Sequence, residues 1–258
     1  MKPTIAVLNL CPEITFEQLA KVVAAMQIQV SRDLRPHWDV DANLVAIRNT
    51  AQQPVGSWLV TIQPEIGEDL YGYHSVNKNG VPFALLRYQE NWTLTLSHET
   101  CETLVDPYAD RLMNGEYFNQ LTDNDPTNDV QYLVEIADPS QAANFGYKID
   151  GVLVSDFFLP SYYDLYPTTG KKYSFTGAIT APRSLAVGGY VSFKDRFGQW
   201  FQAYRTSTGI TVKKLVNGQI LSSTEPNKLW NLVGLAVGFG LLGWAIFKLL
   251  GNSKPQTR

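Results

Sequence analysis

The sequence predicts an α+β fold: a mixed sheet carrying one chemically loaded helix, then a β-rich half, then a single C-terminal transmembrane helix. Three observations lead there. Strand-like apolar runs flank a stretch with helical spacing at 16–33, the extended pattern dominates from 147 to 221, and residues 229–247, LWNLVGLAVGFGLLGWAIF, contain no charge. The order β–α–β–β–hairpin–helix followed by strands is that of a sheet with helices packed on it. The expected division is an α+β unit over 1–146, a β-rich extension over 147–226, a membrane helix over 229–250 and a polar tail over 251–258.

TIAVLNL (4–10) reads as a buried strand. Thr15 and Gln18 have capping-box spacing, and Phe16, Leu19, Val22, Val23, Met26 and Val30 recur at helical intervals, so 16–33 is expected to be an amphipathic helix. Arg35-Pro36 should end it, because the residue before proline avoids helical geometry. WDVDANLVAI (38–47) and SWLVTIQ (57–63) are expected strands around a polar loop at 49–56.

GYHSVNKNGVPFALLRYQ (72–89) reads as a hairpin turning at Asn77–Gly80. Pro82 early in its second run suggests an edge strand. TLTL (93–96) alternates like a strand leading into a polar helix, which Asp106-Pro107 should stop. DNDPTND (123–129) is an expected loop and QYLVEIADP (131–139) an expected strand. Asn217-Gly218 is a hairpin turn signal.

The composition narrows the function classes. Hydrophobic residues make up 45% and charged residues 17% of 258, enough for a sizeable core, and the net charge is −3 with no long basic run. Nucleic acid is therefore not an expected partner. Cys11 and Cys101 are the only cysteines. They are expected to be reduced and buried, because two are too few for a disulfide scaffold.

The apolar span at 229–247 nearly crosses a hydrocarbon core of about 30 Å. Trp230 and Trp244 lie near its ends, where aromatic belts sit, and Gly234 and Gly238 form a GxxxG pair through which two copies could associate. The N-terminus lacks a secretory signal pattern. The expectation is a single-pass C-terminal anchor with the main domain in the cytoplasm.

The chemistry concentrates in SHETCETLVDP (97–107). His98 and Glu102, at i and i+4, share one helix face and can approach one metal ion. Glu99 lies about 100° around the helix, where it can hold a metal-bound water. This is the logic of HExxH, two ligands and a general base, with glutamate as the second ligand. That replacement keeps zinc competent and makes harder divalent cations more plausible.

A third ligand has several candidates. Glu135 and Asp138 in VEIADP rank first, since a carboxylate inside an apolar strand needs a partner or a metal. Asp106 ranks next: on a continuing helix it would stand about 12 Å along the axis from His98, so it needs the chain to fold back. His74 ranks last. Against all of these stands a solvated helix face with an acidic cap. Tyr108 and Tyr147 are candidate oxyanion donors or plain packing, and Asp106 with Arg111 a candidate ion pair. FFLPSYYDLY is a candidate cleft lining or a core segment with a proline turn.

The variant HExxE motif, in a helix after this element order, resembles the zincin-type metallopeptidases. That resemblance implies His98 and Glu102 as ligands of Zn²⁺ or another divalent metal and Glu99 as the catalytic base of a hydrolase. It also implies Phe83–Tyr88 as an edge strand pairing with a peptide substrate. SHETCETLVDP, VEIADP, GVLVSDFFLPSYYD and GGYVSF together resemble a group of bacterial and phage proteins sharing SHExxExxxDP, a later ExxDP and an aromatic SxFxLP segment. The likeness covers roughly residues 65 to 200. It ties Glu135 and Asp138 to the helix motif. The alternative function is a zincin-shaped protein without catalysis, serving as a structural, virion or assembly component.

Overall fold

The computed structural model describes residues 2–67, 71–117, 129–216 and 219–220. The expected membrane helix (229–250) with Gly234 and Gly238, the tail, the loop at 123–128 and the Asn217-Gly218 turn lie outside the described residues. Among the described residues no helix is long and apolar enough to cross a membrane.

The chain opens with β1 (Thr4–Asn9) and α1 (Phe16–Ile28). The capping box forms: Thr15 Oγ1 accepts from the Gln18 amide, and Gln18 Oε1 accepts from the Thr15 amide. The helix does not end at Arg35-Pro36. Gln29–Leu34 continue it as a π-helical turn, and α2 (Arg35–Trp38) follows until Asp39 turns left-handed at φ 53°. In the π turn the Arg35 amide reaches back to Val30 O. The wider turn meets Pro36, which has no amide to donate, without breaking the rod.

Four strands follow: β2 (Asn43–Ile47), β3 (Trp58–Gln63), β4 (Gly72–Val76) and β5 (Pro82–Arg87). They form a five-stranded sheet in the order β2-β1-β3-β5-β4. All are parallel except β4, which runs antiparallel to β5. The expectation that Pro82 marks an edge is corrected here. β5 is paired on both sides, with β3 and with β4, and the edge strand is β4. Pro82 is tolerated because it is the first residue of its strand. A peptide cannot add along 83–88, where both backbone sides are taken.

α3 (Trp92–Val105) begins sooner than expected. Asn91 turns left-handed (φ 61°) and its carbonyl accepts from the Leu94 and Thr95 amides, so TLTL is helix rather than strand. Its alternation misleads because α3 is buried on almost all sides from Leu94 onward, which leaves no polar face to define a period. The helix packs on β4 and β5 and, across from them, on β9 (Val152–Val154).

The second sheet contains β6 (Leu112–Glu116), β7 (Asp129–Leu133), β10 (Tyr190–Lys194), β11 (Trp200–Thr206), β12 (Gly209–Val216) and β13 (Gln219–Ile220). Its order is β13-β12-β11-β10-β7-β6, all neighbours antiparallel. β8 (Tyr147–Ile149) and β9 form a separate hairpin. β7 stops at Leu133, so Glu135 and Asp138 sit beyond the strand expected to hold them.

Residues 155–189 are mostly irregular rather than extended. Aromatic packing replaces ladder pairing there: Phe158 stacks on Tyr162 at 4.3 Å, and Phe157, Phe158 and Tyr162 are fully buried. Phe157, Phe158, Leu159 and Tyr162 of the FFLPSYYDLY segment are thus core, while Leu165 and Tyr166 are exposed. One hydrophobic cluster runs from Ile5 through α1 and α3 to Ala186, and a second fills one side of the antiparallel sheet around Tyr132, Val191 and Phe193. Cys11 and Cys101 are free and buried, as expected.

Candidate metal centre

α3 is held at its middle by a closed polar triangle. The Ser97 hydroxyl donates to Gln29 Oε1 (2.7 Å), the Gln29 side-chain amide donates to Ser155 O (2.9 Å), and the Ser155 amide donates to Ser97 Oγ (2.9 Å). Gln29 starts the π turn, Ser97 lies in α3, and Ser155 follows β9. All three are buried, and each is satisfied by the other two. This clamp sets α3 immediately before His98.

His98 Nε2 lies 3.1 Å from Glu102 Oε2 and 3.2 Å from Asp138 Oδ1. The three donor atoms fall within 4.8 Å of one another, and all three residues are buried. A second group, His74, Glu99 and Glu102, meets the same 4.8 Å limit. These buried His, Glu and Asp groups are placed to hold a metal ion. His98 and Glu99 line a cleft of about 450 Å³, together with Tyr71, Gly72, Leu94 and Gly188.

The solvated-face reading does not survive. His98 is 7% exposed, Glu99 5%, Glu102 1%, Asp138 1% and Glu135 2%. Carboxylates outnumber imidazoles in this volume, so even fully charged histidines leave excess negative charge, which burial makes costly. Burial first, then the Glu102 carboxylate, pushes Asp138 up to about 8. Burial and the surrounding carboxylates hold Glu135 well above the usual carboxylate range. Burial opposes charge on His98, but Glu102 and Asp138 outweigh it and raise the ring well above its ordinary value. Burial also works against Glu102, yet His98, His74 and the Ala137 amide leave it below the usual range.

The other expected ligands divide. Asp138 joins His98 and Glu102 as its sequence rank suggested. Glu135 does not; its Oε2 lies behind His74, 3.6 Å from Nε2. Asp106 also stays out of the donor sets. Its carboxylate accepts from the Asp110 and Arg111 amides, closing the turn after α3. The Arg111 guanidinium donates instead to Val105 O and sits over the Trp38 ring, so the expected Asp106–Arg111 side-chain pair does not form. Tyr147 donates to Asp33, and Tyr108 is exposed.

Several supporting residues carried no clear sequence signal. His74, ranked last, is wholly buried under α3 on the edge strand. Gly72 is required by proximity: a Cβ there would stand 2.3 Å from Glu99 Oε1. Gly189 is required likewise, because a Cβ would stand 2.1 Å from Pro139 O, directly after Asp138. Gly189 and Tyr190 thus seat the Asp138 loop, with the Tyr190 hydroxyl beside the Asp138 carboxylate. No family model, curated protein or solved structure matches the chain.

Proposed function

We propose that the chain is a metal-dependent hydrolase of the peptidase type. His98, Glu102 and Asp138 would hold a divalent cation, with zinc the first choice for a mixed imidazole–carboxylate set. The carrying observation is the convergence of those three donors, with His98 and the neighbouring Glu99 both lining one cleft. A bound cation of this kind polarises a carbonyl and acidifies water. Glu99 is the base: its Oε1 lies against Gly72 on the cleft wall, where it can take a proton from water. The strand order with one antiparallel edge strand beside the helix supports the zincin-like reading, and it moves the peptide-docking edge from β5 to β4. The reading includes a single-pass anchor at 229–250 with the main domain in the cytoplasm.

A second reading is a structural cation in a zincin-shaped virion or assembly component. It is favoured by how deeply Glu102 and Asp138 are sealed, each 1% exposed, and by Glu102 Oε1 accepting from the Ala137 amide at 3.1 Å. Metal analysis of the full chain, then digestion of a peptide library by wild type and Glu99→Gln, separates the two. An enzyme cleaves as wild type and loses cleavage by about 10²–10⁴-fold in Glu99→Gln, while the cation at His98 stays bound. Bound metal without any cleavage would leave the structural reading. No bound metal would remove both.

A further inference from the structure

We propose that the centre is dinuclear: a second divalent cation binds between His74 Nδ1, Glu99 Oε2 and Glu102 Oε2, sharing the Glu102 oxygen with the first. This rests on the reading that His98, Glu102 and Asp138 hold one cation.

The orientation of His74 carries the argument. Its Nε2 lies 3.1 Å from the Asp106 carbonyl oxygen. A carbonyl can only accept, so Nε2 carries the hydrogen and donates it. In the neutral ring Nδ1 then presents a bare lone pair. It is wholly buried and has no hydrogen-bond partner. Facing it are two more acceptors, Glu99 Oε2 at 3.8 Å and Glu102 Oε2 at 3.9 Å. With the ring neutral, as a metal ligand must be, three acceptors converge on one buried point with no donor among them.

The distances at His74 are too long for a hydrogen bond and leave room for an ion. A hydrogen bond would draw nitrogen and oxygen to about 2.7–3.2 Å. Two donors each about 2.0–2.2 Å from one zinc-sized ion stand well apart, and 3.8–3.9 Å lies inside the roughly 4 Å that such a pair can span. The rest of the ring fits as well. Metal-bound imidazoles almost always donate their other N–H to a carbonyl or carboxylate. His74 Nε2 has the Asp106 carbonyl at 3.1 Å and the Glu135 carboxylate at 3.6 Å.

Glu102 Oε2 is the common corner of both donor sets, 3.1 Å from His98 Nε2 and 3.9 Å from His74 Nδ1. Paired ions bridged by one carboxylate lie about 3.5–4 Å apart in two-metal hydrolases. The excess of buried carboxylates, Glu135 among them with both oxygens unpartnered, matches two divalent charges better than one. Glu99 Oε1 lies beside Gly72, which lines the cleft, so that oxygen is left for water or substrate.

The test is Mn²⁺ titration of the full metal-free chain, with bound ions counted and the electron paramagnetic resonance spectrum recorded. Two ions per chain with an exchange-coupled spectrum are expected, and His74→Ala should bind one and show an isolated-ion spectrum. A single ion in wild type overturns the second site, as do two ions retained by His74→Ala. If the variant does not fold, the wild-type count and coupling decide alone. No binding at all removes the His98 site too, so failure of the first reading is told apart from failure of the second.

Discussion

His98 Nε2 lies 3.1 Å from Glu102 Oε2, one turn along a helix that is buried on nearly every side. Such a pair normally faces solvent on a helix surface. Here it closes one edge of a donor set whose third member, Asp138, comes from elsewhere in the chain.

Removal of His98 should therefore weaken stabilisation by metal. Zinc at about 100 times its dissociation constant is expected to stabilise wild type by about 2.7 kcal/mol, raising Tm by roughly 5–10 °C for a chain of this size. His98→Ala should show a smaller rise, because only the proposed His74 site remains. Thermal melts with EDTA and with zinc measure it, and equal shifts in both proteins would exclude His98 as a ligand.

Gly72→Ala should disturb Glu99 without touching the His98 site directly. The new methyl would begin 2.3 Å from Glu99 Oε1, so the carboxylate must move. Peptide hydrolysis is expected to fall by about 10²-fold, while a cation at His98 remains. Unchanged cleavage would mean that Glu99 is not held where the proposed base is needed.

Gln29→Ala should loosen the seat of α3. It removes both the acceptor for the Ser97 hydroxyl and the donor to Ser155 O, in a buried setting. The expected cost is about 1–3 kcal/mol for each polar group left unpaired, read from urea unfolding. A variant as stable as wild type would show that the triangle does not hold the helix.

The metal-free chain should lose stability as pH rises. Asp138 is pushed up to about 8 and Glu135 well above its ordinary value, so between the unfolded and folded pKa values the native state holds more protons. Stability then falls from about pH 4 toward pH 8. The raised His98 and His74 act in the same direction above their ordinary value. Glu102, held below its ordinary value, acts oppositely but only in acid. Urea midpoints in EDTA should drop across this window and recover with zinc, which displaces those protons. A midpoint rising with pH in EDTA would contradict the assignment.

The helical pair was legible because i, i+4 spacing survives any tertiary context. Asp138 was legible as part of VEIADP, through the cost of a carboxylate in an apolar run and through the recurring ExxDP pattern, but nothing local indicates that the chain leaves β7 at Leu133 and turns at Pro139. His74 was the least visible. Its value depends on β4 crossing to the far side of β5, and Pro82 suggested the opposite order. The TLTL alternation misled for a related reason: period reports which face meets water, and α3 has almost none that does. Gly72 and Gly189 matter through close approaches, which no local pattern encodes.

The donors come from an edge strand, a helix and a loop beyond the second sheet. Before those parts dock, the nascent polypeptide offers a cation only scattered weak contacts. On the proposed reading, capture of the ion is a late event in maturation, and loss of it a slow one. A chelator added during synthesis should deplete the active pool far more than the same chelator added to finished protein.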